Sequence, residues 1–308
     1  MNVAFQMDDL SKINFTTDST IALILESQSR DNKNYIYSPD DLFIKNNEVF
    51  TSACLVTFNN KDFSKYKCAK KKIINLSSMN FIFIRQDPPY NMAYITSLHI
   101  LELIDSNKTR IVNDPIGIRN SPEKILIFNF PQLIPPTIVT RSSDQVIEFL
   151  KKYRKAVIKP LYGNGGAGIF LISNNDLNLN QIIESFTSNS KEPFIVQKYL
   201  PDIIKGDKRI ILVNGKLVGA IARIPKVNEI RSNIHVGGSA KKTTISKSDK
   251  IICDAIGPEL RKRKLFFVGI DIIGKHLIEI NVTSPTCIRE IKQLSKIDIS
   301  KIIWDKLV

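Results

Sequence analysis

The chain has 308 residues, with 44 Lys+Arg against 30 Asp+Glu, a formal charge of +14 and 43% hydrophobic residues. That length suits two or three domains with real cores, and these fractions exclude a disordered chain. No uncharged apolar run approaches the ~18 residues that span a membrane, and Asp8 and Asp9 stand where a signal peptide would be apolar, so a soluble, cytoplasmic protein is expected.

The first apolar strand is expected at 3–7, followed by a helix over 19–30 that Asp18 caps. The next strand, 81–85, runs into Asp87-Pro88-Pro89, where missing N–H groups forbid further pairing. A helix over 94–103 and a strand over 110–113 continue the alternation, which predicts a parallel α/β sheet for about residues 1–120. Ser121-Pro122 reads as a helix cap with proline at the first helical position and Lys124 in the first turn. Then come strand 137–140, helix 143–153, strand 156–160, a glycine loop, strand 169–173, helix 179–188 and strand 194–197. Past residue 200 strands dominate until a basic helix (247–264), a hairpin (266–281) and a C-terminal helical stretch. Three units are expected: 1–120, 121–200 and 201–308.

Cys54, Cys68, Cys253 and Cys287 are too few and too scattered for a disulfide scaffold or zinc knuckle, and are expected as reduced thiols. The basic clusters at 70–72, 151–155, 241–242 and 261–264 are dispersed and carry no aromatic ladder on which bases could stack. They read as solvated faces, or as a positive field for small anionic substrates, before they read as a nucleic-acid surface.

Gly163-Asn164-Gly165-Gly166-Ala167-Gly168 satisfies G-x-G-x-x-G, but an apolar, strand-like run follows it where the dinucleotide fingerprint needs a helix. No Gly-Lys-Ser/Thr follows either, which excludes a Walker A loop. What remains is a hairpin loop whose backbone N–H groups can converge on an anion, with Lys159 just ahead of it. An unliganded hairpin is the alternative.

In the 266–281 hairpin, a three-residue loop Gly274-Lys275-His276 would place Ile273 opposite Leu277 and Asp271 opposite Glu279. Asn281 then shares the face of Glu279, while Ile272, Ile278 and Ile280 turn to the core. Two carboxylates ~5 Å apart repel by about 3 kcal/mol at an effective dielectric of ~20, which calls for a cation or a proton between them. Asp, Glu and Asn oxygens suit Mg²⁺ shared with substrate phosphates; a solvated, splayed face is the alternative. On the repulsion argument, neutralising either acid would stabilise the protein without ligands. His99, His235 and His276 lack metal-ligand spacing, and Cys287 has no assignable histidine base.

The order of these parts resembles the ATP-grasp fold. Several stretches resemble prokaryotic-type glutathione synthetases in particular, over nearly the whole chain: Arg85-Gln86-Asp87-Pro88-Pro89, Lys159-Pro160-Leu161, Gly206-Asp207-Lys208-Arg209 and Ala222-Arg223-Ile224-Pro225. The longest is Glu279-Ile280-Asn281-Val282-Thr283-Ser284-Pro285-Thr286-Cys287-Ile288-Arg289-Glu290. The resemblance implies an α/β and α+β protein, an ATP-grasp fold behind an N-terminal Rossmann-like parallel-sheet domain. It implies ATP as co-substrate, with Lys124, Lys159 and the loop Gly163, Asn164, Gly165 and Gly166 on the phosphates. The stretch Gln197-Lys198-Tyr199-Leu200 would meet adenine, and Asp271, Glu279 and Asn281 would hold Mg²⁺ or Mn²⁺. γ-Glutamylcysteine would engage Arg85, Asp207, Arg209, Arg223, Ser284, Thr286 and Arg289. Arg209, Arg223 and Arg231 would act on the reacting groups, Arg231 from a lid over 225–241. The implied reaction joins γ-glutamylcysteine to glycine through an acylphosphate, with no nucleic-acid or membrane partner, in a homo-oligomer, by resemblance a tetramer. Two departures stand out: Gln86 replaces a frequent lysine near the substrate, and Val227-Asn228 replace a pair of lid glycines. Another ATP-grasp carboxylate–amine ligase, or a basic nucleic-acid-binding protein, are the competing readings.

Overall fold

The computed structural model describes residues 1–59, 62–227, 229–234 and 237–308. Three sheets carry the described residues. In the first, Asn2–Gln6 lies parallel to both Lys33–Tyr37 and Phe81–Ile84, and Phe81–Ile84 lies parallel to Arg110–Val112. The expected parallel alternation is therefore present, but the sheet is mixed. Lys33–Tyr37 pairs antiparallel with the long strand Glu48–Phe58, onto which Leu42–Lys45, Tyr66–Cys68 and Lys72–Asn75 also pair antiparallel. The apolar residues of Glu48–Phe58 do not alternate along the chain and its partner strands are short, so the period-two signal is weak.

It also overturns one expectation. Cys54 and Cys68 form a disulfide with Cα atoms 5.8 Å apart, leaving Cys253 and Cys287 free. The antiparallel pairing sets Val56 opposite Cys68, which brings Cys54 within diagonal reach across the strand pair. A separation of 14 residues in sequence conceals that proximity.

The second sheet is antiparallel, in the order Phe170–Ser173, Lys155–Pro160, Phe194–Lys198, Thr137–Thr140. The helices Ser143–Tyr153 and Leu179–Asn189 complete this unit. It has its own apolar cluster, centred on Val146, Leu150, Ile158, Ile172 and Val196. The third sheet is also antiparallel, in the order Ser239–Lys242, Lys216–Ile224, Asp207–Val213, Phe267–Ile273, His276–Asn281.

Two larger apolar clusters each mix side chains of the first and third sheets, so those two pack as one body. Trp304, on the C-terminal helix Ile299–Leu307, is fully buried against Phe81 and Phe83 and donates its Nε1–H to the Leu23 carbonyl at 3.0 Å. Asn113 bridges the same two sheets: its Nδ2 donates to Phe267 and Val282 carbonyls, and its Oδ1 accepts from the Phe267 amide.

Local sequence rules account for most termini. Asp18 accepts from the Ile21 amide and starts the helix Ser19–Ser29, and Ser246 with Asp249 forms a capping box for Lys247–Lys262. The helix expected at Ser121-Pro122 does not form. Pro122 opens a single turn, bonded from the Ile125 and Leu126 amides, which tightens into the 3₁₀ segment Leu126–Asn129. Its backbone is spent elsewhere: Glu123 offers its carbonyl to Ile280 and its carboxylate to the amides of Val282 and Thr283. Among the described residues no helix is long and apolar enough to cross a membrane.

Candidate active site

A cleft of about 810 Å³ opens where the three sheets meet. Its roof is the glycine loop between the antiparallel strands Lys155–Pro160 and Phe170–Ser173, as the sequence predicts for a hairpin. Gly165 (φ 63°) and Gly166 (φ 84°) take left-handed conformations that a side chain would strain. Beneath it lie the two lysines. Lys124 Nζ donates to the Gly163 carbonyl at 2.5 Å and pairs with Glu279 at 3.1 Å. Lys159 Nζ reaches the Gln197 Oε1 at 3.4 Å. Burial pushes the Lys159 ammonium down to about 8, and nearby Lys124 adds to this against the opposing pull of Glu279 and Asp271.

The acidic hairpin forms with the expected facing pair, Asp271 opposite Glu279, but by a different route. Its loop has two residues, with Ile273 opposite His276, and a bulge between Asp271 and Ile272 takes up the odd residue. The bulge also turns Ile278 to line the cleft, whereas Ile272 and Ile280 enter the core as expected.

The repulsion argument is corrected as well, because the fold supplies its own cations. Arg209 grips Asp271 with two bonds, Nε to Oδ1 at 2.5 Å and Nη2 to Oδ2 at 3.0 Å. Arg223 reaches the same Oδ2 at 3.0 Å and holds Asp207 bidentately. The result is an alternating row, Arg209–Asp271–Arg223–Asp207, with all four side chains buried. Burial opposes ionisation of Asp271, yet Arg209 and Arg223 hold its carboxyl well below the usual carboxylate range. On the other strand, the Lys124–Glu279 attraction is about 5 kcal/mol at an effective dielectric of ~20, more than the acid–acid repulsion.

Among the described residues no cluster of three or more His, Cys, Asp and Glu side chains is placed to hold a metal ion. The donors present are two carboxylates and the amide of Asn281, whose Nδ2 donates to the Gly269 carbonyl at 3.3 Å. Hard oxygens of this kind fit a small divalent cation that shares the phosphates of a bound nucleotide.

Arg85, also on the cleft wall, is a buried cation whose ordinary charge is disfavoured by burial. Its Nε donates to Thr20 Oγ1 and its Nη2 to the Pro285 carbonyl, it lies over the Phe267 ring, and its Nη1 has no partner among the described residues. A buried guanidinium left short of a partner in this way is costly, and an anion bound beside it would offset that cost. Ser284 and Thr286 line the same cleft. Cys287, at φ 81°, makes the turn that presents them; its thiol is pushed up by burial and is no nucleophile.

Asp207, Arg209, Arg223 and Arg231 also face the cleft, as does the stretch Gln197, Lys198, Tyr199 and Leu200, flanked by the apolar Val157 and Ile203. Arg231 pairs with Glu229 at 2.5 Å. Arg289 is the predicted site residue that does not enter the cleft: its Nε donates to the Asp18 carbonyl at 2.8 Å and its guanidinium covers the Phe63 ring. The turn at Cys287 sends it toward the N-terminal loop.

Gln86 is corrected too. It is buried away from the cleft, accepting from Gln6 Nε2 at 2.6 Å and donating to Ser97 Oγ at 3.2 Å, so a cation at this position would not point at a substrate. Val227 is exposed; Asn228 and His235, with part of the expected lid, lie outside the described residues.

Sequence reasoning missed Glu123, Asp8 and Asp18 as cleft residues, and Asn233, which meets the loop near Gly166. Glu123 was visible only as the neighbour of Lys124. Asp18 carries a capping signal that hides its second position.

The chain matches the sequence profile of the prokaryotic glutathione synthetase N-terminal domain over residues 1–119 and that of the prokaryotic glutathione synthetase ATP-grasp domain over residues 123–296. It is 44% identical over 306 residues to the glutathione synthetase of Agrobacterium fabrum, covering 99% of this chain and 96% of that protein. With the glutathione synthetase of Buchnera aphidicola subsp. Baizongia pistaciae it shares 41% over 309 residues, 100% of this chain and 95% of that one. Among solved structures, the D-cycloserine synthetase DcsG superposes with a TM-score of 0.71 at 12% identity over 100% of both chains. The ATP-grasp ligase PsnB gives 0.65 at 15%, over 99% of this chain and 97% of that one; both speak to the fold alone. An ATP-grasp pair of sheets, a buried lysine pair beneath a glycine loop and these matches along nearly the whole sequence agree: the chain belongs to the prokaryotic glutathione synthetase family.

Proposed function

We propose that the cleft binds ATP under the glycine loop and γ-glutamylcysteine at the Arg85 end, and ligates the latter to glycine. The observation that carries this reading is the distribution of charge in one cleft: buried cations under the glycine loop, and on the same cleft's wall a further buried guanidinium, Arg85, with no ion-pair partner among the described residues. Lys124 and Lys159 hold the phosphates with the amides of Gly163, Asn164, Gly165 and Gly166, and Lys159 regains its full charge beside them. The backbone of Gln197, Lys198, Tyr199 and Leu200 meets adenine in the apolar slot. Asp271, Glu279 and Asn281 would hold Mg²⁺ or Mn²⁺, which when bound neutralises charge on the transferring phosphoryl group.

Arg85, Ser284 and Thr286 orient the peptide so that its cysteinyl carboxylate faces the γ-phosphate. A carboxylate oxygen takes the phosphoryl group and ADP leaves; glycine's amine then attacks the acylphosphate carbonyl, loses a proton and expels phosphate. Positioning and fixed positive charge do most of this work. Asp207, Arg209 and Arg223, locked into one another, serve as a rigid electrostatic floor, with Arg209 and Arg223 facing the oxyanion of the tetrahedral intermediate and Arg231 above it. Arg289 acts through Asp18, by fixing the loop that closes the substrate end.

The reading includes a cytoplasmic setting, a homotetramer that sedimentation would check, and units at 1–120, 121–200 and 201–308. The separate apolar cluster of the middle sheet supports the second of these. Incubation with ATP, Mg²⁺, γ-glutamylcysteine and a panel of amines tests the function. One ADP per tripeptide with a strong preference for glycine is expected; equal use of other amines would move the assignment to another carboxylate–amine ligase.

A further inference from the structure

The glycine loop carries one aromatic residue, Tyr162, placed between buried Leu161 and Gly163 at the loop's root. Its ring stacks on Tyr90 of the first sheet's unit, with centroids 5.9 Å apart and planes 25° from parallel. Tyr90 is itself fixed from two sides. Its hydroxyl donates to the Arg119 carbonyl at 2.5 Å, and its ring lies 5.5 Å from that of Tyr94, which is buried in the core shared by the first and third sheets. A narrow side cavity lined by Pro88, Glu123, Lys124 and Gly163 runs beside the stack.

The root of the loop is therefore held at two points, by Lys124 on the Gly163 carbonyl and by Tyr90 on Tyr162. Beyond Gly163 come exposed Asn164 and half-buried Gly165, before Gly166 meets Asn233. Tyr90 also follows Arg85, Asp87 and Pro88, which line the peptide end of the cleft. One short segment thus touches both the loop over the phosphates and the wall of the acceptor site.

We infer that Tyr162 is a positioning residue: stacked on Tyr90, it holds the glycine loop closed in register with the 85–90 segment, so that the loop seals over the phosphates when that segment is ordered by peptide substrate. The inference rests on the ligase reading above. Its consequence is chemical. With the loop loose, water replaces glycine's amine: its oxygen attacks the acylphosphate carbonyl, the C–O bond to phosphate breaks, and carboxylic acid, phosphate and ADP are released without tripeptide.

The test compares the wild type with Tyr162→Leu, Tyr162→Phe, Tyr90→Leu and the double leucine variant, under ATP, Mg²⁺ and both acceptors. The ordinary worth of a stacked pair corresponds to about a two- to tenfold change in the closed-to-open ratio. Hydrogen exchange of residues 161–168 is expected to accelerate by that factor in Tyr162→Leu and Tyr90→Leu but not in Tyr162→Phe, with the thermal midpoint little changed. The ADP-to-tripeptide ratio is expected to rise above one in the two leucine variants, and no further in the double variant. Unchanged exchange and a ratio of one in Tyr162→Leu, or a Tyr162→Phe that behaves like Tyr162→Leu, would overturn the inference. A wild type that forms no tripeptide would sink the ligase reading instead, while the exchange comparison still decides whether the stack holds the loop.

Discussion

Lys159 is a cation that the fold accommodates poorly until an anion arrives, and this makes it measurable. Its ammonium is pushed down to about 8 by burial from an ordinary value of 10.5. A difference of that size corresponds to about 3 kcal/mol of folded-state cost when the group is protonated. In the window between about 8 and 10.5 the unfolded chain keeps the proton and the folded one does not, so stability rises with pH there. Lys159→Met removes the titrating group at similar length. At pH 7, without nucleotide, the variant should be more stable than the wild type by up to about 3 kcal/mol, and the gap should close as pH climbs through that window. Denaturant unfolding of both proteins at pH 7, 8, 9 and 10 reads it directly. The same chemistry predicts proton uptake on ATP binding above pH 8, seen as a buffer-dependent heat, because phosphate oxygens restore the charge. A gap that stays constant with pH, or a variant less stable at every pH, would refute the reasoning.

Asp271→Asn is expected to lower stability by about 3–5 kcal/mol, because it strands Arg209 in a buried site and takes from Arg223 one of its two carboxylates, leaving it Asp207; a stability equal to or above wild type in denaturant unfolding would restore the simple repulsion argument. Arg85→Met should raise KM for γ-glutamylcysteine by about 10- to 100-fold, the worth of a hydrogen bond to a charged group, with little change in KM for ATP; steady-state kinetics with each substrate varied separates the two. Cys54→Ser should cost about 3 kcal/mol by opening a loop of 14-residue separation, and a reductant should reproduce that loss in the wild type; identical unfolding with and without reductant would contradict it.

The succession of elements in the middle part was legible because each strand there is a compact apolar run between clear breakers, and Asp18 marks its helix by capping chemistry alone; the order of strands within the sheets was not. The extension around Glu48–Phe58 was not, since its short strands mix lysine, asparagine and exposed apolar residues and show no clean alternation. The site's members were largely readable one by one from motif and resemblance; their partners were not. Nothing in the spacing of Arg209, Arg223 and Asp271 says that two guanidiniums converge on one carboxylate, because that depends on which face of adjoining strands each residue occupies. The bulge beside Asp271 is likewise invisible in an alternating run, although it decides that Ile278 faces the cleft. Arg289 shows the converse: a residue within a strong motif is turned away by a left-handed conformation at Cys287 that no residue type announces.

The central claim is that one cleft activates a peptide carboxylate with ATP and passes it to glycine. Positional isotope transfer tests it most directly: γ-glutamylcysteine labelled with ¹⁸O in its cysteinyl carboxylate is turned over with ATP, Mg²⁺ and glycine, and the phosphate released is weighed. One ¹⁸O in each phosphate, with one ADP and one tripeptide formed, is the predicted result. Unlabelled phosphate, or ADP formed at the same rate without the peptide acceptor, would contradict it.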